Sequence, residues 1–169
     1  MLEAARLVAS AKPARTVRVV LFAAEESSLA GARTYARVHA AELDRHVLAM
    51  EVDLGTDRVW SLRFLGDPAR APDFEAIARP LSAIGVATDG ERGHPGADVS
   101  PLAAAGVPIF DVRQDASRYF DLHHTSADTS DALDGEALAQ VTAVVAHVAL
   151  AAARAEADFG RVPLELRGD

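Results

Sequence analysis

Three short clusters in the 169-residue chain carry side chains able to do chemistry. Glu25 and Glu26 stand side by side directly after the apolar run 17–24 (VRVVLFAA). Adjacent strand positions point to opposite faces, so one carboxylate can ligate a metal while the other moves a proton beside it. The same pair also suits an acidic helix start, where carboxylates complement the helix dipole. Glu51 and Asp53 share one face at the end of VLAMEVD, and Val52 points the other way. Asp53 equally suits a turn aspartate before Leu54 and Gly55. His123, His124 and Thr125 precede Ser126, Ala127, Asp128 and Thr129. Paired imidazoles in a polar loop suit zinc when thiolates are absent, with Asp128 able to orient one ring through its second nitrogen; two solvated surface histidines are the plain alternative. His39, His46, His94 and His147 have no comparable partners. His39 and His147 read as helix residues and His94 as a loop residue.

The elements that must position these groups alternate along the chain. Residues 2–11 favour a helix that Pro13 stops. The β-branched run 17–24 reads as a strand buried on both faces. Ser27 or Ser28 is placed to cap a helix reaching roughly to Asp44. Residues 47–53 read as a second strand and 60–65 as a third. Pro72 suits a first helical turn; Phe74, Ile77, Leu81 and Ile84 follow at helical spacing, Pro80 is placed to kink the helix, and Gly85 stops it. The Gly-, Asp- and Pro-rich stretch 85–97 reads as an exposed loop, 98–105 as a short helix and 107–112 as a strand. A polar, His-containing loop spans 113–131. The final helix starts near Asp134, with Leu138, Val141, Val145, Val148 and Ala152 on one face. Strands alternating with helices predict an α/β fold: a mainly parallel sheet with helices on both faces. Ligands bind such sheets outside the carboxyl ends of the strands, where Glu25, Glu26, Asp53 and the histidine loop would converge.

Composition excludes several classes. Hydrophobic residues make up 50% and charged residues 25%, so the chain is neither disordered nor collagen-like. At this length a single domain over residues 1–169 is expected, hiding roughly 70% of the unfolded surface. The net charge of −8, from 25 acidic and 17 basic residues, argues against nucleic-acid binding. There is no cysteine, which removes disulfides, thiol nucleophiles and cysteine zinc sites. No uninterrupted apolar run reaches the ~20 residues of a membrane span, and residues 1–15 lack the apolar core of a signal peptide. No nucleophile elbow, phosphate-binding loop, dinucleotide fingerprint or His-Glu-x-x-His motif is present.

Four segments in order give the chain a resemblance: VRVVLFAAEESSLAGARTYA (17–36), MEVDLG (50–55), GADVSPLAAAGVPIF (96–110) and RYFDLHHTSADTSDALD (118–134). Together they resemble the dinuclear zinc exopeptidase family of bacterial leucyl aminopeptidases, carboxypeptidase Q and glutamate carboxypeptidase II, with wording nearest to carboxypeptidase Q-like members. The resemblance implies a zinc-exopeptidase-like α/β/α sandwich and hydrolysis of peptide bonds through a metal-activated water. It implies Glu25 as general base, Glu26 and His124 as ligands of one zinc, and Asp53 as a ligand of the other. His123 becomes a neighbour of the ligands, and Asp98 and Tyr119 border the substrate cleft.

The family needs five protein ligands for two zinc ions, and a histidine and a bridging aspartate precede the general base. Here no histidine precedes His39 and no aspartate precedes Asp44. The resemblance therefore implies the C-terminal portion of a catalytic domain, with its N-terminal part missing, weak or partial zinc occupancy, and little activity as it stands. A non-catalytic binding or structural module that keeps the fold is the alternative. An uncovered sheet surface would favour self-association. Members of the family are often secreted or periplasmic; the residues themselves assign no compartment.

Overall fold

In the computed structural model, residues 1–55, 57–156 and 158–168 are described. Helix α1 spans Leu2–Ser10. A short helix α2, Glu25–Ser28, is followed after Leu29 by α3, Ala30–Val38. Strand β1 is Val59–Leu65, α4 is Ala71–Ala78, α5 is Ser100–Ala104 and β2 is Ile109–Gln114. A four-residue α6, Tyr119–Leu122, precedes the long α7, Gly135–Arg154.

The regular sheet is smaller than the sequence predicts, and its ladder is antiparallel. β1 pairs with β2 from Val59↔Gln114 to Leu65↔Ile109. Parallel neighbours flank this pair only as isolated contacts: Ala49 beside Ile109, and Ala87 and Arg92 beside Ser61 and Phe64. The mainly parallel sheet is thus not formed among the described residues. The predicted strand 47–53 is reduced to its contact at Ala49, and the predicted strand 17–24 pairs with no other strand. The physical reason is that a ladder belongs to two chains of backbone, not to one apolar run. Stretch 85–97, expected as an exposed loop, instead lays its first half along β1, with Ala87 accepting from and donating to Leu62 and Trp60, and Val86 buried.

Packing centres on Phe110, which is fully buried and meets the rings of Phe64, Phe74 and Phe159 at centroid distances of 5.6, 5.0 and 5.1 Å. Phe110, Val112 and Leu62 share this core with Val141, Val144, Val145 and Val148 of α7. Their sequence neighbours Ile109 and Leu65 join Val99 and Ala103 in a second cluster, as the two-residue period of a strand requires. α7 begins where its cap predicts: the Asp134 carboxylate accepts from the Glu136 and Ala137 N–H groups, both at 2.8 Å. Gln140 spans from α7 to β1, accepting from Val59 N–H at 2.9 Å and donating to Val59 O at 2.8 Å, so its burial leaves no lost partner at Val59.

Other expectations need correction. Leu138 is 43% exposed; the buried face also takes in Ala137, Gln140 and Val144, and Leu138 lies at its edge in the first turn. Neither Ser27 nor Ser28 caps a helix, because Glu25 already begins α2 and the chain breaks again at Leu29 (φ 54°). α4 passes into a tighter 3-10 turn at Arg79–Ile84, across Pro80, and ends at Gly85 with φ 84°. α7, with 20 residues, is long and apolar enough to cross a membrane by length and composition. Glu136, Gln140 and His147 interrupt its apolar run and hid this from a run-length test, and its buried face packs in the core. His39 and His46 do have partners: His46 Nε2 lies 2.9 Å from Tyr35 Oη, and His39 Nδ1 lies 3.4 Å from Glu42.

Candidate metal centre

The centre is assembled from three turns that end or interrupt extended backbone. Ala24, immediately before Glu25, holds φ 60°, and Leu29 at the far end of α2 holds φ 54°. Non-glycine residues at positive φ are uncommon and strained. Of the four in the described chain, two therefore bracket the helical turn that carries Glu25 and Glu26, and a third is His124 at φ 59°. Such strain persists only where surrounding structure enforces it, and it clusters at functional sites. The histidine turn is enforced locally: His123 N–H donates to Tyr119 O at 2.7 Å, and Thr125 N–H to Leu122 O at 3.0 Å.

These turns bring Glu26 and His124, 98 residues apart in sequence, to 2.6 Å between Oε1 and Nε2. Both side chains are more than half exposed. The His123 ring stacks on His124 at a centroid distance of 3.6 Å and on Tyr119 at 4.4 Å. One ligand atom each from Glu26, His123 and His124 lies within 4.8 Å of the others. One carboxylate and two imidazoles form the donor set of a three-ligand zinc site. The 2.6 Å Glu26–His124 contact is a hydrogen bond; two donors of one tetrahedral zinc stand about 3.3 Å apart, from bonds of about 2.0–2.1 Å, so a small opening admits the ion. The residues fit the metal that the resemblance implies.

A second group of carboxylates surrounds this trio. Glu25 is held above the ordinary glutamate range by desolvation first, then by the negative charges of Glu26, Asp53 and Asp98, with His123 opposing. Asp98 is raised by burial and by Asp53, and its Oδ1 is buried without a hydrogen-bond partner among the described residues. Tyr119 is raised by burial and by the charges of Asp53, Glu26 and Glu25. Every residue singled out from the sequence — Glu25, Glu26, Asp53, Asp98, Tyr119 and His124 — thus lies in one electrostatic neighbourhood. Asp53 is exposed and stands outside the three-donor group. Asp128 makes no hydrogen bond to either histidine among the described residues; its N–H donates to Thr125 O.

Two contributors were not identified as site residues from the sequence. His123, placed there as a neighbour, offers a ring nitrogen to the trio. Glu51, noted only as sharing a face with Asp53, accepts from the Ala97 and Val99 N–H groups at 3.1 and 2.9 Å and so grips both sides of Asp98. Burial nonetheless keeps Glu51 above the usual range, against these two bonds. Gly96 (φ 73°) makes the grip feasible, because a Cβ there would meet the Glu51 carboxyl carbon at 2.8 Å. The turn after Asp53 is secured in turn by Gln114 Nε2, which donates to Gly55 O and Asp57 O at 3.1 and 3.0 Å.

Comparison with known proteins bears on this geometry. The family model of peptidase family M28 matches residues 1–149. The chain is 38% identical over 143 residues to carboxypeptidase Q of Rattus norvegicus, covering 81% of this chain and 29% of that one. It is 35% identical over 143 residues to carboxypeptidase Q of Homo sapiens, with the same coverage of 81% and 29%. Among solved structures, a peptidase M28 precursor from Shewanella amazonensis SB2B superposes with a TM-score of 0.84 at 42% identity, over 95% of this chain and 38% of that chain. The chain therefore spans about three-tenths of the length of the carboxypeptidase Q relatives it matches.

Proposed function

The chain belongs to peptidase family M28, and from that premise we propose that it carries one half of a zinc-dependent exopeptidase centre that hydrolyses peptide bonds. Glu26, His123 and His124 are the residues that would hold zinc. When bound, zinc supplies a Lewis acid for the scissile carbonyl and lowers the pKa of water beside it. Glu25 is the proton carrier: its raised pKa brings it nearer neutrality, where a general base transfers a proton most effectively. Asp98 and Tyr119 line the cleft, and Glu51 holds the Asp98 loop in register with Asp53. Aminopeptidase and carboxypeptidase Q-like specificities are both compatible with this half.

The reading is carried by the convergence of Glu26, His123 and His124 from turns about a hundred residues apart. It extends to the limit of the chain's own donors. Asp53 brings no second imidazole or carboxylate into ligand range among the described residues, so one zinc per chain is held weakly, a second is not held, and the 169 residues alone hydrolyse peptides poorly or not at all. Zinc titration followed by calorimetry tests this directly. One weak site, lost in Glu26→Gln and in His124→Ala, is the expected result. A chain that hydrolyses dipeptides at full family rates without added polypeptide contradicts it.

A further inference from the structure

Residues 16–22 run without turn or bend, and among the described residues their peptide groups pair with no other strand. Residues 47–53 are tied to the sheet along one edge: Ala49 N–H donates to Pro108 O at 2.8 Å and Ala49 O accepts from Phe110 N–H at 3.0 Å. Successive peptide groups of an extended chain point to opposite edges, so the groups of Leu48 and Met50 face away from β2. Between the two segments lies a groove of ≈ 630 Å³, walled by Val17, Val19 and Val20 on one side and Val47, Leu48 and Met50 on the other.

Both walls are held from behind, so the groove stays open. Arg18 donates to Tyr35 Oη at 2.8 Å and to Glu42 at 3.2 Å. Gly31 N–H donates to Ala23 O at 2.9 Å. Arg15 donates to the carbonyls of Ala152, at 2.8 Å, and Ala155, at the C-terminal end of α7. The first wall is thus fixed through side chains and its ends, and its backbone groups remain available.

We propose that this groove is a strand acceptor: it takes one extended polypeptide strand with small apolar side chains, supplied from outside these 169 residues. An occupant must offer N–H and C=O groups along both of its edges and apolar side chains between them. A β-strand does so; a helix uses its backbone groups internally and an acyl chain has none. The shared fold gives the source, since the chain covers only 38% of the Shewanella amazonensis peptidase chain that it superposes on. This inference goes beyond the peptidase reading and does not depend on the zinc trio.

The test mixes the 169-residue chain with the unmatched remainder of the Shewanella amazonensis peptidase chain, produced as a separate polypeptide. Light scattering should show a one-to-one complex, and amide hydrogen exchange should slow at least about tenfold at Leu48, Met50 and alternate positions within 16–22. Met50→Pro removes a donor that faces the groove and should weaken the complex while circular dichroism of the chain is unchanged. If that variant fails to fold, Val19→Asp, which places a charge in the apolar wall, should have the same effect. No complex, or a complex in which those amides exchange as before, overturns the proposal. So does protection of the same amides in the chain alone at high concentration, since a second copy would then be the occupant. A chain that binds no zinc but gains this protection leaves the proposal standing and removes the peptidase reading instead.

Discussion

Segment 16–26 and the β1–β2 pair are both apolar stretches of extended backbone, yet they are held in opposite ways. β1 and β2 are bonded to each other through their peptide groups and buried against α4 and α7, with Phe110 and Leu62 fully enclosed. Residues 16–22 are tethered by Arg15 and Arg18, and Leu21 is 73% exposed. The difference separates two tasks. The paired half supplies stability, while the tethered half ends on Ala24, Glu25 and Glu26 and supplies chemistry. Substitutions should therefore sort by half, losing fold in one and metal in the other.

The largest effect is expected in the paired half. Phe110→Ala should destabilise by about 3–5 kcal/mol, read as a drop in the denaturant midpoint, because it empties the centre of a four-ring cluster. Next, Glu26→Gln should lower zinc affinity at least about a hundredfold, since loss of even an outer-shell partner costs 10–100-fold. Its stability should stay within about 0.5 kcal/mol of the parent, as for other exposed substitutions. An equal loss of stability in Glu26→Gln would erase the distinction between the halves.

Smaller effects sharpen the comparison, because they predict that the chemical half is less stable than it could be. Ala24→Gly relieves a left-handed residue and should stabilise by about 0.5–1 kcal/mol. Asp98→Asn removes a carboxylate that burial and Asp53 oppose, and should raise the unfolding midpoint by about 2 °C at pH 7. The sign with pH follows from the raised pKa. The native state keeps the Asp98 proton to higher pH than the unfolded chain does, so ionisation costs stability as pH rises through the native value. The advantage of Asp98→Asn should therefore be full at neutral pH and fade as pH falls toward the ordinary aspartate value, which parallel melts of parent and variant would show. An advantage that persists at pH 3 would assign the gain to packing.

Much of this division is legible in the sequence where one segment determines its own structure. Asp134 caps α7, and Gly85 ends the turn after α4 as the local rules require. The convergence of Glu25, Glu26, Asp53 and the histidine turn follows from their places at the ends of apolar runs. What the sequence hides is set by partners far along the chain. Run 17–24 has the composition of a buried strand but has no neighbour to pair with, and Glu51 reaches Ala97 and Val99 across 46 and 48 residues. His123 and His124 are indistinguishable by type. The left-handed turn at His124 and the ring stacking bring both to Glu26, and neither is visible before the backbone is folded.

Zinc binding to the unmodified chain tests the central claim most directly. Calorimetric titration should give one zinc per chain, absent in Glu26→Gln and His124→Ala, with both variants melting as the parent does. Two zinc ions per chain, or one zinc whose binding survives both substitutions, would contradict the assignment of the tethered half as a single three-donor metal centre.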